Sequence, residues 1–181
     1  MRKVERVDRQ AIVDELERAR ADFHRLLDGA SERELSRPSQ GTRWTNEQLL
    51  FHMVFGYLLV RVLLVVIRVF WRLPDGASRR FSQILNAGTA PFHVVNYLGS
   101  CGAALVFNHR RMGARFDRAV DVIERRLIRE SEEDLHRGMH YPARWDPYFT
   151  DFMTLEDIYR YPTRHFDHHA QQLTLEKGDP A

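Results

Sequence analysis

The stretch Arg164-His165-Phe166-Asp167-His168-His169-Ala170-Gln171-Gln172-Leu173 decides how the rest of the chain is read. His165 and His169 are four residues apart, a spacing that stacks both imidazoles on one face of a helix, one turn apart. The residues before them extend that face: Leu155, Ile158, Pro162, His165, His169 and Gln172 recur at helical spacing as one inward stripe. Imidazole nitrogens on an inward stripe need partners once water is excluded. Two readings are open. Hydrogen bonds within a core would satisfy each ring separately, or one metal ion would satisfy both if another element brought a third ligand.

Upstream of this stretch, Thr154 with Asp157 three residues later marks a helix start, and the helix is expected to run to about Glu176. Pro162 lies inside it and should kink it one turn before His165. A first helix is expected from Asp8 to about Asp28, with Ile12, Leu16, Ala19, Phe23 and Leu26 as its apolar stripe. The stretch Ser31–Gly41, with Pro38 and Gly41, reads as a loop. A second helix opens at Thr45 with Gln48 in capping-box position and runs to about Arg72, before Pro74-Asp75-Gly76. Residues 74–100 are broken by glycine and proline and hold at most a short helix at Pro91–Leu98. A long third helix is expected from Ala103 to about Arg129, with His109, Met112, Phe116, Val120, Ile123 and Leu127 on its inner stripe. An aromatic, proline-containing loop, Tyr141–Phe152, precedes the last helix, and no strand pattern is visible. The expected fold class is all-α, a four-helix bundle forming one domain over residues 1–181.

The second helix carries His52 near its start, on the stripe His52, Gly56, Leu59, Leu63, Val66 and Phe70. Its other face, with Val54, Tyr57, Leu58, Leu64 and Val65, is also apolar. Three covers are conceivable: a lipid bilayer, the segment that follows, or a second copy in a homodimer. Arg61 and Arg68 stand against a membrane span, at roughly 2.5–3.5 kcal/mol each at a helix centre. The homodimer is the expectation, and membrane association is not expected.

The net charge of +2 argues against nucleic acid as a partner, and the arginines read as scattered and interleaved with Asp and Glu. A single cysteine, Cys101, leaves no disulfide framework or multi-cysteine metal site and fits a reducing, cytoplasmic compartment. The polar, helix-like N-terminus shows no secretory signal.

Two blocks, Trp44-Thr45-x-x-Gln48-x-x-x-x-His52 and His165-x-x-x-His169-x-x-Gln172-Leu173, set on four helices, resemble the DinB/YfiT-like superfamily of metalloenzymes over nearly the whole chain. The resemblance implies an up-down-down-up bundle, frequent dimers, and one divalent metal bound by His52, His165 and His169. Three neutral imidazoles leave positions open for water or substrate, and zinc, nickel, iron and manganese all suit such a set. Gln172, one turn past His169, is a candidate partner for a ligand. The chemistry implied is activation of a low-molecular-weight thiol of the mycothiol or bacillithiol type for transfer to a small electrophilic substrate. The arginine-rich composition, of the kind a GC-rich genome produces, leans toward mycothiol. A hydrolase using metal-activated water, or a bundle that binds and sequesters a small molecule without turnover, are the alternatives. Trp145, Tyr148 and Phe149 could wall the pocket or simply pack the loop. His168 and Asp167 should point away from the site. Cys101 has no neighbouring base in sequence.

Overall fold

The computed structural model describes residues 6–74 and 76–176. Four long helices close into a ring: α1 (Arg9–Gly29), α3 (Asn46–Phe70), α6 (His109–Leu127) and α8 (Leu155–Ala170). Helix α1 packs on α6 and α8, and α3 packs on the same two, so α1 and α3 face each other across the bundle. Four further helices connect them: α2 (Glu32–Leu35), α4 (Ala77–Ala87), α5 (Thr89–Val106) and α7 (Glu132–His136). Two three-residue strands, β1 (Gly138–His140) and β2 (Phe152–Thr154), pair antiparallel just before α8. The fold class is all-α, with eight helices rather than four among the described residues and one small sheet.

Side-chain chemistry at the helix starts explains why the long elements begin where they do. Asp8 accepts from Ala11 N, and Thr45 and Thr154 each form a complete capping box, with Gln48 and Asp157. The core between the four helices is aliphatic and aromatic. Ile12, Leu16, Phe23, Leu64, Ile67, Phe116, Ile123 and Ile158 are fully buried, and Phe116 packs between Phe23 and Tyr57 with ring centroids at 4.4 and 4.5 Å.

Helix α3 is long and apolar enough to cross a membrane by length and composition, yet more than half of its most apolar window is buried by the rest of the chain. Its deepest stripe is Met53, Tyr57, Val60, Leu64 and Ile67. That corrects the sequence-based assignment, which placed Tyr57 and Leu64 on the outer face. The stripe that continues from His52 through Leu59, Leu63 and Val66 is half-buried below Gly56, and α3 is flanked by α5 as well as by α6 and α8. The segment that follows therefore covers part of the second apolar face, and Val62, Val65 and Val69 remain exposed.

Three boundaries differ from expectation. The single helix expected over Ala103–Arg129 is two, bent by 112° at Phe107-Asn108. The break is held by Glu47 of α3, whose Oε1 accepts from both the backbone N and Nδ1 of His109, at 3.0 and 2.9 Å. A carboxylate from another element thus caps α6, a signal that local periodicity does not carry. His109 accordingly sits half-buried at the helix start and not in the core. Residues 77–100, within the stretch expected to hold at most a short helix at Pro91–Leu98, form α4 and most of α5. Helix α8 ends at Ala170, a turn and a half before Glu176, and stays helical through Pro162. The tail turns back instead: Gln40 N donates to Gln172 O, and Thr174 N donates to Oδ1 of the buried Asn46.

Candidate metal centre

Two turns of α8 present His165 and His169, and the second turn of α3 presents His52. Their candidate ligand atoms all lie within 4.8 Å of one another. Ring centroids are 5.0 Å apart for His52–His165, 4.7 Å for His52–His169 and 4.5 Å for His165–His169. His52 and His165 are buried, and His169 is partly buried.

The surroundings orient each ring. Nδ1 of His52 shares a hydrogen bond of 3.3 Å with Ser100 Oγ on α5, and Trp44 stacks on the ring at 4.4 Å and 24°. Nδ1 of His169 donates to Gln172 Oε1 at 2.6 Å. In both residues Nε2 is the nitrogen left for a ligand. His165 is wedged against α3: a Cβ at Gly56 would stand 2.7 Å from its Nδ1. That Nδ1 has no hydrogen-bond partner, and Nε2 lies 3.7 Å from Asp146 Oδ2.

All three imidazoles are held neutral. Burial, helped by the nearby His169, pushes the pKa of His52 down to about 3. Burial lowers His169 to about 4 against the raising effect of its bond to Gln172. His165 falls well below the ordinary histidine range, first through burial and then through its histidine neighbours. Neutral imidazoles with free nitrogens converging on one point are the form a metal ion takes up, so the donor set fits a divalent metal. The orphaned polar atom and the glycine cradle for His165 are consistent with a ring placed for coordination rather than for core hydrogen bonding.

A cavity of about 160 Å³ opens on the histidines. Trp44, Phe55, Leu59, Phe92, Trp145 and Phe149 give it aromatic and aliphatic walls. Of the aromatic loop residues, Trp145 and Phe149 line the cavity, while Tyr148 instead packs edge-on against His168. Trp145 stacks on Phe92 of α5 at 3.8 Å and donates to Leu85 O at 2.8 Å, tying the loop to the α4–α5 arm. Asp167 turns away from the cavity and pairs with Arg18 of α1 at 2.8 Å.

Two contributors were not legible in the sequence. Asp146 is a largely buried carboxylate in the cavity wall; burial pushes its pKa up, against hydrogen bonds from Tyr148 N (2.8 Å) and Tyr161 Oη (2.9 Å). Its one sequence signal is an isolated acid between Trp145 and Pro147 in an otherwise aromatic run. Helix α5 supplies Phe92, Asn96 and Ser100 to the site, from a segment whose glycines and proline hid its length.

The sequence profile of the DinB superfamily matches residues 15–173. No curated protein and no solved structure matches the chain.

Proposed function

Starting from the chain's membership of the DinB superfamily, we propose that it is a metal-dependent enzyme that joins a low-molecular-weight thiol to a small electrophile. One divalent ion, zinc, nickel, iron or manganese, would be held by His52, His165 and His169. The observation that carries the reading is the convergence of three histidines, two buried and one partly buried, with ligand atoms within 4.8 Å at the floor of a cavity. A metal bound there would act as a Lewis acid, lowering the pKa of a coordinated thiol so that its thiolate forms near neutral pH.

The chain's own groups define what reaches that point. Gln172 Oε1 fixes the tautomer of His169, Ser100 holds the ring of His52 through its Nδ1, and Gly56 lets His165 approach α3. The aromatic walls exclude water from the floor and favour an apolar electrophile. A volume of about 160 Å³ equals some five waters at about 30 Å³ each. A thiol of the mycothiol or bacillithiol type would enter only by its cysteinyl arm, with its sugar left at the mouth. Asp146, with its pKa raised by burial, stands 3.7 Å from His165 Nε2 and is the carboxylate of the cavity wall that would accept the proton a bound thiol gives up.

The test has two steps. Elemental analysis after extensive dialysis should find about one metal ion per chain in the wild type and loss of it in His52→Ala and in His165→Ala. The metal-loaded protein should then consume a model electrophile only when both metal and thiol are present. Metal binding with stoichiometric, thiol-independent retention of the electrophile would make the chain a sequestering protein. Consumption with water alone would make it a hydrolase. A chain that takes up none of the four metals would overturn all of these readings.

A further inference from the structure

Charge and exposed apolar surface are segregated along this chain in the same way. Between Gln48 and Phe116 there are eight arginines and a single acid, Asp75, which leaves nineteen basic and twenty-four acidic residues for the rest. The interleaving of arginine with acid expected from the whole sequence therefore holds outside this segment and fails within it. No charged side chain other than histidine occurs from Phe81 to His109. The same segment carries eleven of the thirteen large apolar residues that stand exposed among the described residues, among them Val65, Ile84, Val95, Leu98 and Leu105 at 50–84 % exposure.

These arginines are also chemically available. Only Arg68, to Glu130, and Arg110, to Glu32, pair with a carboxylate among the described residues. By contrast, Arg9, Arg18, Arg20, Arg25, Arg37, Arg137 and Arg160, all outside the segment, sit in ion pairs. Aliphatic and cationic groups meet in one groove of about 500 Å³ between α3 and α6, where Val65 and Val69 lie beside Arg72, Arg126, Arg129 and the Arg68–Glu130 pair, four arginines against one acid.

We propose that this surface, formed by the outer sides of α3, α4 and α5, docks the protein peripherally on an anionic lipid bilayer. Aliphatic side chains exposed singly on three helices find apolar surroundings in the acyl boundary without a shape-matched recess, and the unpaired guanidinium groups meet lipid phosphates. A second copy of the chain fits less well, because a two-fold interface would set this strongly basic surface against itself. One of these helices, α5, also faces the site: Phe92 and Asn96 line the histidine cavity and Ser100 hydrogen-bonds His52. The proposal does not depend on the metal or on catalysis.

Co-sedimentation with vesicles tests it. The full chain should bind vesicles of phosphatidylcholine mixed with phosphatidylglycerol, not vesicles of phosphatidylcholine alone, and should be released as salt rises from roughly 0.05 to 0.5 M. Arg79→Glu with Arg80→Glu, two exposed positions, should weaken binding at least about tenfold. Arg25→Glu with Arg164→Glu, on α1 and α8, should leave it within about twofold. Should the first pair fail to fold by far-UV circular dichroism, the salt dependence of the wild type still decides. No sedimentation with anionic vesicles at low salt, or equal binding to neutral ones, overturns the proposal. A stable dimer that does not bind vesicles overturns it too, and assigns the surface to a second copy.

Discussion

Helix α1 starts at Asp8, whose carboxylate accepts from Ala11 N; helix α4 starts at Gly76, at φ 86° and with no side-chain cap. Helix α5 likewise starts at a glycine, Gly88, without a cap. The contrast runs through both regions. The ring of α1, α3, α6 and α8 buries most of its large apolar residues, Val62, Val65 and Val69 of α3 excepted, and neutralises many of its arginines, whereas the α4–α5 arm leaves Ile84, Val95 and Leu105 in the open. One region is specified by periodicity plus side-chain caps. The other is held mainly by what it packs against: Phe81 against Phe70 of α3, Phe92 against Trp145, and Ser82, whose hydroxyl donates to Tyr141 O at 2.8 Å.

Mutagenesis can break or sharpen that contrast. Phe116→Ala in the ring should cost about 3–5 kcal/mol in urea denaturation, while Leu105→Ser in the arm should change stability by no more than about 0.5 kcal/mol. Comparable losses at the two positions would show that the arm is buried in solution. Next in size is the acid response of the metal-free protein. The histidines at the ring's end titrate near 6.5 when unfolded but are held to about 3 and about 4 when folded. The unfolded chain therefore binds more protons in that interval, and stability, complete above about 6.5, should fall as pH drops toward 3–4. A flat profile of thermal midpoint between pH 7 and 4 would contradict the buried neutral rings. Gln172→Ala, which frees His169 Nδ1, should weaken metal binding by roughly 10- to 100-fold in competition titrations with little change in melting temperature. The smallest effect expected within the ring belongs to a cap: Thr154→Ala should cost about 1 kcal/mol in chemical denaturation, since it removes the capping box of α8.

The same contrast explains what could be read from the residues. The starts at Asp8, Thr45 and Thr154 were legible because the capping residue and the stripe that follows it are local. The convergence of His52 with His165 and His169 was legible because both carriers are capped helices with a fixed register. The break at Asn108 was not, since the group that satisfies the start of α6 is Glu47, sixty-two residues away. The early end of α8 depends on Asn46 taking the tail, another distant partner. Asp146 enters the site only because the aromatic loop folds over it and Tyr161 donates to it. Helix α5, with Thr89, Pro91, Gly99 and Gly102 in its length, looks unfavourable by local propensity and is retained by α3 and the loop.

Gly56 has a consequence for anyone engineering this chain. A glycine in the middle of a long helix is a usual target for stabilisation, because alanine there is favoured by about 1 kcal/mol. Here the added methyl would stand 2.7 Å from Nδ1 of His165. A design protocol scored on helix propensity would accept Gly56→Ala as an improvement, and the folded product would carry a displaced histidine. Overpacking against a buried ring costs roughly 1–3 kcal/mol, so the predicted gain would vanish in a thermostability screen and the loss would surface again in a metal assay.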